Sequence, residues 1–105
     1  MLQEDYFMYV EDLEYCSRVQ DAGYKLHSIA RSRIYHKVGA TTGGATSEFS
    51  VYWRVRNMNK YLKSHGSVFQ KVASLTLFNL ESLLRLLFMR KPSLLASFFK
   101  GLLNR

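Results

Sequence analysis

The back half of the chain constrains the fold most. From Phe49 onward, apolar residues return every three or four positions, and the sole proline is Pro92. That spacing stacks side chains on one face of a 3.6-residue helix, so it predicts helices. The first runs from residue 49 to about 64, with Phe49, Tyr52, Trp53, Arg56 and Lys60 on or near one stripe. His65-Gly66-Ser67 breaks it. The second runs from 68 to about 90, with Val68, Val72, Leu75, Leu83, Leu86 and Met89 along one side. Asn79 and Ser82 fall inside that stripe, which is therefore not cleanly apolar. Lys91-Pro92-Ser93 is a turn, and Pro92 suits the first turn of a third helix, where its missing N–H costs nothing. That helix, 94–103, carries Phe98, Phe99 and Leu102, with Lys100 and Arg105 as basic residues in and just after it.

Charge divides the chain at the same place. Residues 1–49 hold five basic and seven acidic side chains, a net −2; residues 50–105 hold ten basic residues against Glu81 alone, a net +9. An acidic front suits a metal, a cation or acid–base chemistry, and a basic, leucine-rich back suits an anionic surface. A chain of 105 residues makes one small domain, and 48% apolar residues argue against disorder. One cysteine, Cys16, excludes an internal disulfide framework and a multi-cysteine zinc site. A reducing compartment fits. No basic segment precedes the first apolar run, so no secretory signal is expected. No long stretch free of charge predicts a transmembrane helix.

The front half reads as mixed structure. Glu11 and Asp12 open a helical run in which Leu13, Cys16 and Val19 share a face, and Gly23 is placed to stop it in a left-handed conformation. Glu14 and Arg18 are four apart, in the favourable order for a surface pair. Residues 24–29 and 33–38 alternate and read as two strands. Residues 39–47 form a small, glycine-rich loop, and Ser47 is placed to cap the following helix, with Glu48 in its first turn. The expected class is therefore α/β, short strands plus helices.

Four places could carry chemistry. Glu11-Asp12 offers a general base if a substrate hydroxyl reaches it, or else an acid pair that favours the helix start. His36 ends a strand beside a loop, where it could join carboxylates on a manganese- or magnesium-like ion, or simply be hydrogen-bonded. The loop glycines and Thr41 and Thr42 could approach a diphosphate, or form a plain connector. Tyr52, Trp53, Arg54, Arg56, Asn57 and Lys60 could stack on a sugar and hold a phosphate, or split between core and solvent.

Read together, three segments carry a pattern. They are Glu4-Asp5-Tyr6-Phe7-Met8-Tyr9-Val10-Glu11-Asp12-Leu13-Glu14-Tyr15-Cys16-Ser17-Arg18, Gly23-Tyr24-Lys25-Leu26, and Tyr35-His36-Lys37-Val38-Gly39 followed by Thr41. With Arg56-Asn57, the pattern resembles the acceptor-side half of family 2 glycosyltransferases, the rhamnosyltransferase-like enzymes in particular. The match covers about residues 2–63.

The resemblance implies a partial GT-A fold over residues 1–65, the C-terminal part of a catalytic domain, followed by a basic amphipathic helical tail over 66–105. It implies inverting transfer of a sugar, rhamnose among the candidates, from a nucleoside-diphosphate sugar to a saccharide or lipid-linked acceptor. Asp12, with Glu11, would be the catalytic pair, Asp12 taking the acceptor proton. Glu14, Arg18, Thr41, Thr42, Trp53 and Arg56 would bind substrate or shape the site. His36 would complete a magnesium or manganese shell beside an Asp-x-Asp motif. No Asp-x-Asp occurs in these 105 residues, so the chain is expected to be inactive alone, and marginal or self-associating. The implied location is cytoplasmic, peripheral at the inner face of the membrane, and nucleic acid is not an expected partner. The competing class is a non-catalytic basic module that binds a membrane surface or nucleic acid, a reading that leaves the acidic front unexplained.

Overall fold

A computed structural model describes residues 4–35, 44 and 46–104. Four helices follow in chain order: α1 (Glu11–Asp21), α2 (Glu48–Ser64), α3 (Val68–Phe88) and α4 (Pro92–Leu103). Their boundaries follow from local chemistry. Tyr24 N–H donates to Val19 O and Gly23 N–H to Gln20 O, which closes α1 with Gly23 at φ +85°. Ser47 Oγ accepts from Ser50 N–H at 3.1 Å and caps α2. Ser67 and Gln70 form a reciprocal capping box that starts α3. Pro92 sits in the first turn of α4.

The core is built by the last three helices. Val51 and Val55 of α2, Leu86 of α3, and Leu94 and Phe98 of α4 are buried together, with Leu83, Met89, Leu95 and Leu102 packed around them. The stripe on α3 divides: Leu83 and Leu86 reach this core, whereas Val68 and Val72 are exposed. Asn79, the polar break in that stripe, has a partner that explains it. Its amide exchanges two hydrogen bonds with the buried Asn59 of α2, at 2.8 and 3.0 Å. The pair satisfies polar groups between two helices that apolar residues there would leave without direction.

Helices α2 and α4 share the most extensive interface, and Gly101 permits it. A Cβ at position 101 would lie 2.6 Å from Tyr52 O, a backbone atom that cannot rotate away. Gly101→Ala gains about 1 kcal/mol in helix propensity. The overpacking costs about 1–3 kcal/mol and is expected to win. A lower urea midpoint is the expected result, and a raised one would show that the helices separate at no cost.

The α/β expectation is corrected: no strand occurs among the described residues. Residues 24–29 and 33–35 have no ladder partner and are exposed throughout, and 36–38 lie outside the described residues. Alternation says which face a strand would bury, but a strand forms only against a partner, and a lone two-stranded unit is marginal in water. The expected partial GT-A fold of strands plus helices is therefore not what these residues form. Helix α1 forms over the run that Glu11 and Asp12 open. Leu13 is 41% exposed, and the inward position is taken by Glu14, which is buried. No described helix is long and apolar enough to cross a membrane.

Candidate functional site

Helix α1 starts from a strained turn. Tyr9 has φ +64° and Val10 φ +72°. Left-handed backbone is uncommon for non-glycine residues and an outlier for a β-branched one, with a cost of about 1–3 kcal/mol each. Such a turn persists only where its surroundings hold it, and α2 holds this one. Asn57, fully buried on α2, donates through Nδ2 to Met8 O at 2.6 Å and to Tyr9 O at 3.3 Å. Tyr9 Oη donates to Ser50 Oγ at 2.8 Å, and Ser50 Oγ donates onward to Gly44 O at 2.8 Å. Val10 O then accepts from Glu14 N–H at 2.9 Å and closes the first turn of α1.

The clamped turn presents Glu11 and Asp12 at the positive end of α1. Asp12 is exposed, and its Oδ1 accepts from Leu13 N–H at 2.8 Å. Glu11 is half-buried, with Oε2 shielded and without a hydrogen-bond partner among the described residues. Glu14 lies beneath them. Arg18 holds both its oxygens, Nε donating to Oε1 at 2.8 Å and Nη2 to Oε2 at 3.2 Å. That carboxylate pushes the Arg18 pKa up. The pairing expected on the surface is thus half-buried. Ser17 and Tyr61 meet at 2.6 Å, a second polar tie from α1 to α2.

Beside the turn stands an aromatic cluster. Trp53 packs against Phe7 (5.1 Å between ring centres), Tyr52 (5.2 Å) and Phe49 (6.3 Å). The Arg56 guanidinium lies over the Trp53 ring at 5.2 Å and donates to Asn57 Oδ1 at 2.9 Å. The Arg56-Asn57 dipeptide therefore joins the aromatic platform to the turn that bears the carboxylates. Arg56 also lines a groove of about 430 Å³ with Asn59, Lys60, Lys63, Leu102 and Asn104. Lys60 pairs with Asp5 at 3.2 Å and lies over Tyr6, whose phenol pKa is raised by burial.

The structure thus brings together two of the expected groups, Glu14 with Arg18 and Trp53 with Arg56, and links the second to the turn before Glu11 and Asp12. His36, Thr41 and Thr42 lie outside the described residues. Among the described residues no group of three or more His, Cys, Asp or Glu could hold a metal ion, and the expected ligand His36 lies outside them. Sequence reasoning gave no clamping role to Asn57, Ser50 or Tyr61. The signal for Asn57 was an amide beside a cation on an otherwise buried helix face; burial, which decides its role, is not visible in spacing. No family model matches the chain, and neither a curated protein nor a solved structure matches it.

Proposed function

We propose that the chain is the acceptor-side segment of an inverting sugar transferase that draws on a nucleoside-diphosphate sugar, as its resemblance to family 2 glycosyltransferases implies. One observation carries the reading. A carboxylate pair sits on a turn of two left-handed residues, and that turn is clamped by the Asn57 amide next to an Arg–Trp stack. Strain held in place by a dedicated buried amide is how a protein fixes a reactive group that relaxed backbone would misplace.

In this reading Asp12 accepts the proton of an acceptor hydroxyl as that oxygen bonds to the anomeric carbon and the nucleoside diphosphate departs. Trp53, with Arg56 stacked over its ring, is the aromatic side chain that would meet a sugar, and Arg56 the planar charge that would meet an anionic group. Glu11 and Glu14 shape the site, and Arg18 holds Glu14. The sugar, rhamnose among them, and a saccharide or lipid-linked acceptor belong to the same proposal. Donor binding falls to an Asp-x-Asp-bearing segment outside these 105 residues.

The test has two arms. Radiolabelled nucleotide sugars, thymidine-diphosphate rhamnose included, are offered with oligosaccharide acceptors to the 105-residue chain and to the polypeptide encoded when the reading frame is extended upstream. The expected result is transfer by the extended polypeptide only. Transfer by the 105-residue chain would remove the need for a second segment. An upstream frame without a nucleotide-binding segment would overturn the assignment as a transferase.

A further inference from the structure

Helix α3 is apolar on two sides, and the core uses one of them. Leu83 and Leu86 face α2 and α4. Phe69, Leu77, Leu80, Leu84, Leu87 and Phe88 lie on another face, within an arc of about 100° at 100° per residue. Phe69 is 83% exposed, Leu77 67% and Phe88 91%, and the other three are each more than half exposed. The two phenylalanines stand about 28 Å apart along the axis. A soluble surface seldom carries a continuous apolar strip of this kind, and one that exists marks an interaction face.

Charge identifies what covers it. Near the Phe88 end of the strip, Arg85 of α3 and Arg90 and Lys91 of the turn after it outnumber the single acid, Glu81, whereas Lys71 lies on the far side of the helix. Two copies meeting through this face would bring these cations together, which opposes a symmetric dimer. An anionic bilayer meets both requirements, since its acyl boundary takes the apolar strip and its headgroups take the cations. No described helix can cross a membrane, so α3 would lie in the interface plane. We infer that the Phe69-to-Phe88 face of α3 docks the chain on an anionic membrane surface. The strip differs from the stripe that periodicity singled out, part of which the core consumes. This inference does not depend on sugar transfer.

The test is sedimentation of the 105-residue chain with vesicles of phosphatidylcholine, alone or with 30% phosphatidylglycerol (a composition of about one anionic lipid in three, enough to set up a negative surface potential). Binding is expected to the anionic vesicles and to weaken as salt rises. Phe69→Ser with Phe88→Ser should reduce it on the order of tenfold or more while the far-ultraviolet spectrum and melt stay unchanged, since both side chains lie in solvent. Arg85→Gln with Lys91→Gln should cut binding on the order of tenfold. Phe88→Trp supplies a depth probe: brominated acyl chains should quench the new indole and leave Trp53, packed against Phe7, unaffected in the parent chain. Equal binding to neutral vesicles, or an unquenched indole, would overturn the inference. So would a concentration-dependent dimer that Phe88→Ser abolishes, which would give the face to a second copy.

Discussion

Phe98→Ala is expected to remove about 3–5 kcal/mol of unfolding free energy. Phe98 is 2% exposed and is the largest of the fully buried side chains. It stands on α4 in the one buried cluster that also holds Val51 and Val55 of α2 and Leu86 of α3. Truncation leaves a cavity that close-packed neighbours only partly fill. A domain of this size has about 5–15 kcal/mol in total, so the variant would lose about a fifth or more of its stability. Urea unfolding followed by circular dichroism measures it. Phe88→Ala is the internal comparison: that ring is 91% exposed, and its loss should move stability by no more than about 0.5 kcal/mol. Equal effects at the two positions would show that α4 does not pack where described.

The contrast between these two phenylalanines also marks what the sequence could reveal. The three helices after residue 47, the Ser47 cap, the break at 65–67 and the place of Pro92 were all legible, because each rests on chemistry within a few residues. Periodicity also found that α3 has an apolar side. It did not say which apolar residues meet a partner, because Leu86 and Phe88 differ in packing and not in type. The two alternating runs at 24–29 and 33–38 show the same limit more severely. Their pattern is genuine, but strand formation depends on a ladder partner that distance along the chain does not specify.

The candidate site was legible in part for the same reason. Glu11, Asp12, Glu14 and Arg18 stood out through spacing on one helix, and the structure places them there. Burial of Glu14 was missed because a favourable i, i+4 spacing is the same for a surface pair and a buried one. The left-handed pair Tyr9 and Val10 gave no local signal at all: neither residue favours positive φ, so only the distant Asn57 and Ser50 contacts account for it. Non-local restraint of this kind is invisible to any reading of short windows.

The second large effect concerns Asp12, and it is expected to appear in rate rather than stability. Under the proposed function, Asp12→Asn in the upstream-extended polypeptide should lower kcat for sugar transfer about 10²–10⁴-fold. Asparagine keeps the shape, the Oδ1 acceptor for Leu13 N–H and a side chain suited to a helix start, so α1 should persist. Only the basicity of the carboxylate is lost. Because Asp12 is exposed, the melt should be unchanged within about 0.5 kcal/mol. Asn57→Ala separates position from chemistry. It leaves Met8 O and Tyr9 O without their donor, which should cost about 1–3 kcal/mol and slow transfer by releasing the turn. The pattern to look for is a rate defect without a stability defect at position 12, and both defects together at position 57. Added formate should restore part of the rate to Asp12→Ala, where space for a small base is open, and none to Asn57→Ala, where the carboxylate is present but displaced. Wild-type turnover by Asp12→Asn would mean that the proton leaves by another group, and the clamped turn would then be a structural device for starting α1.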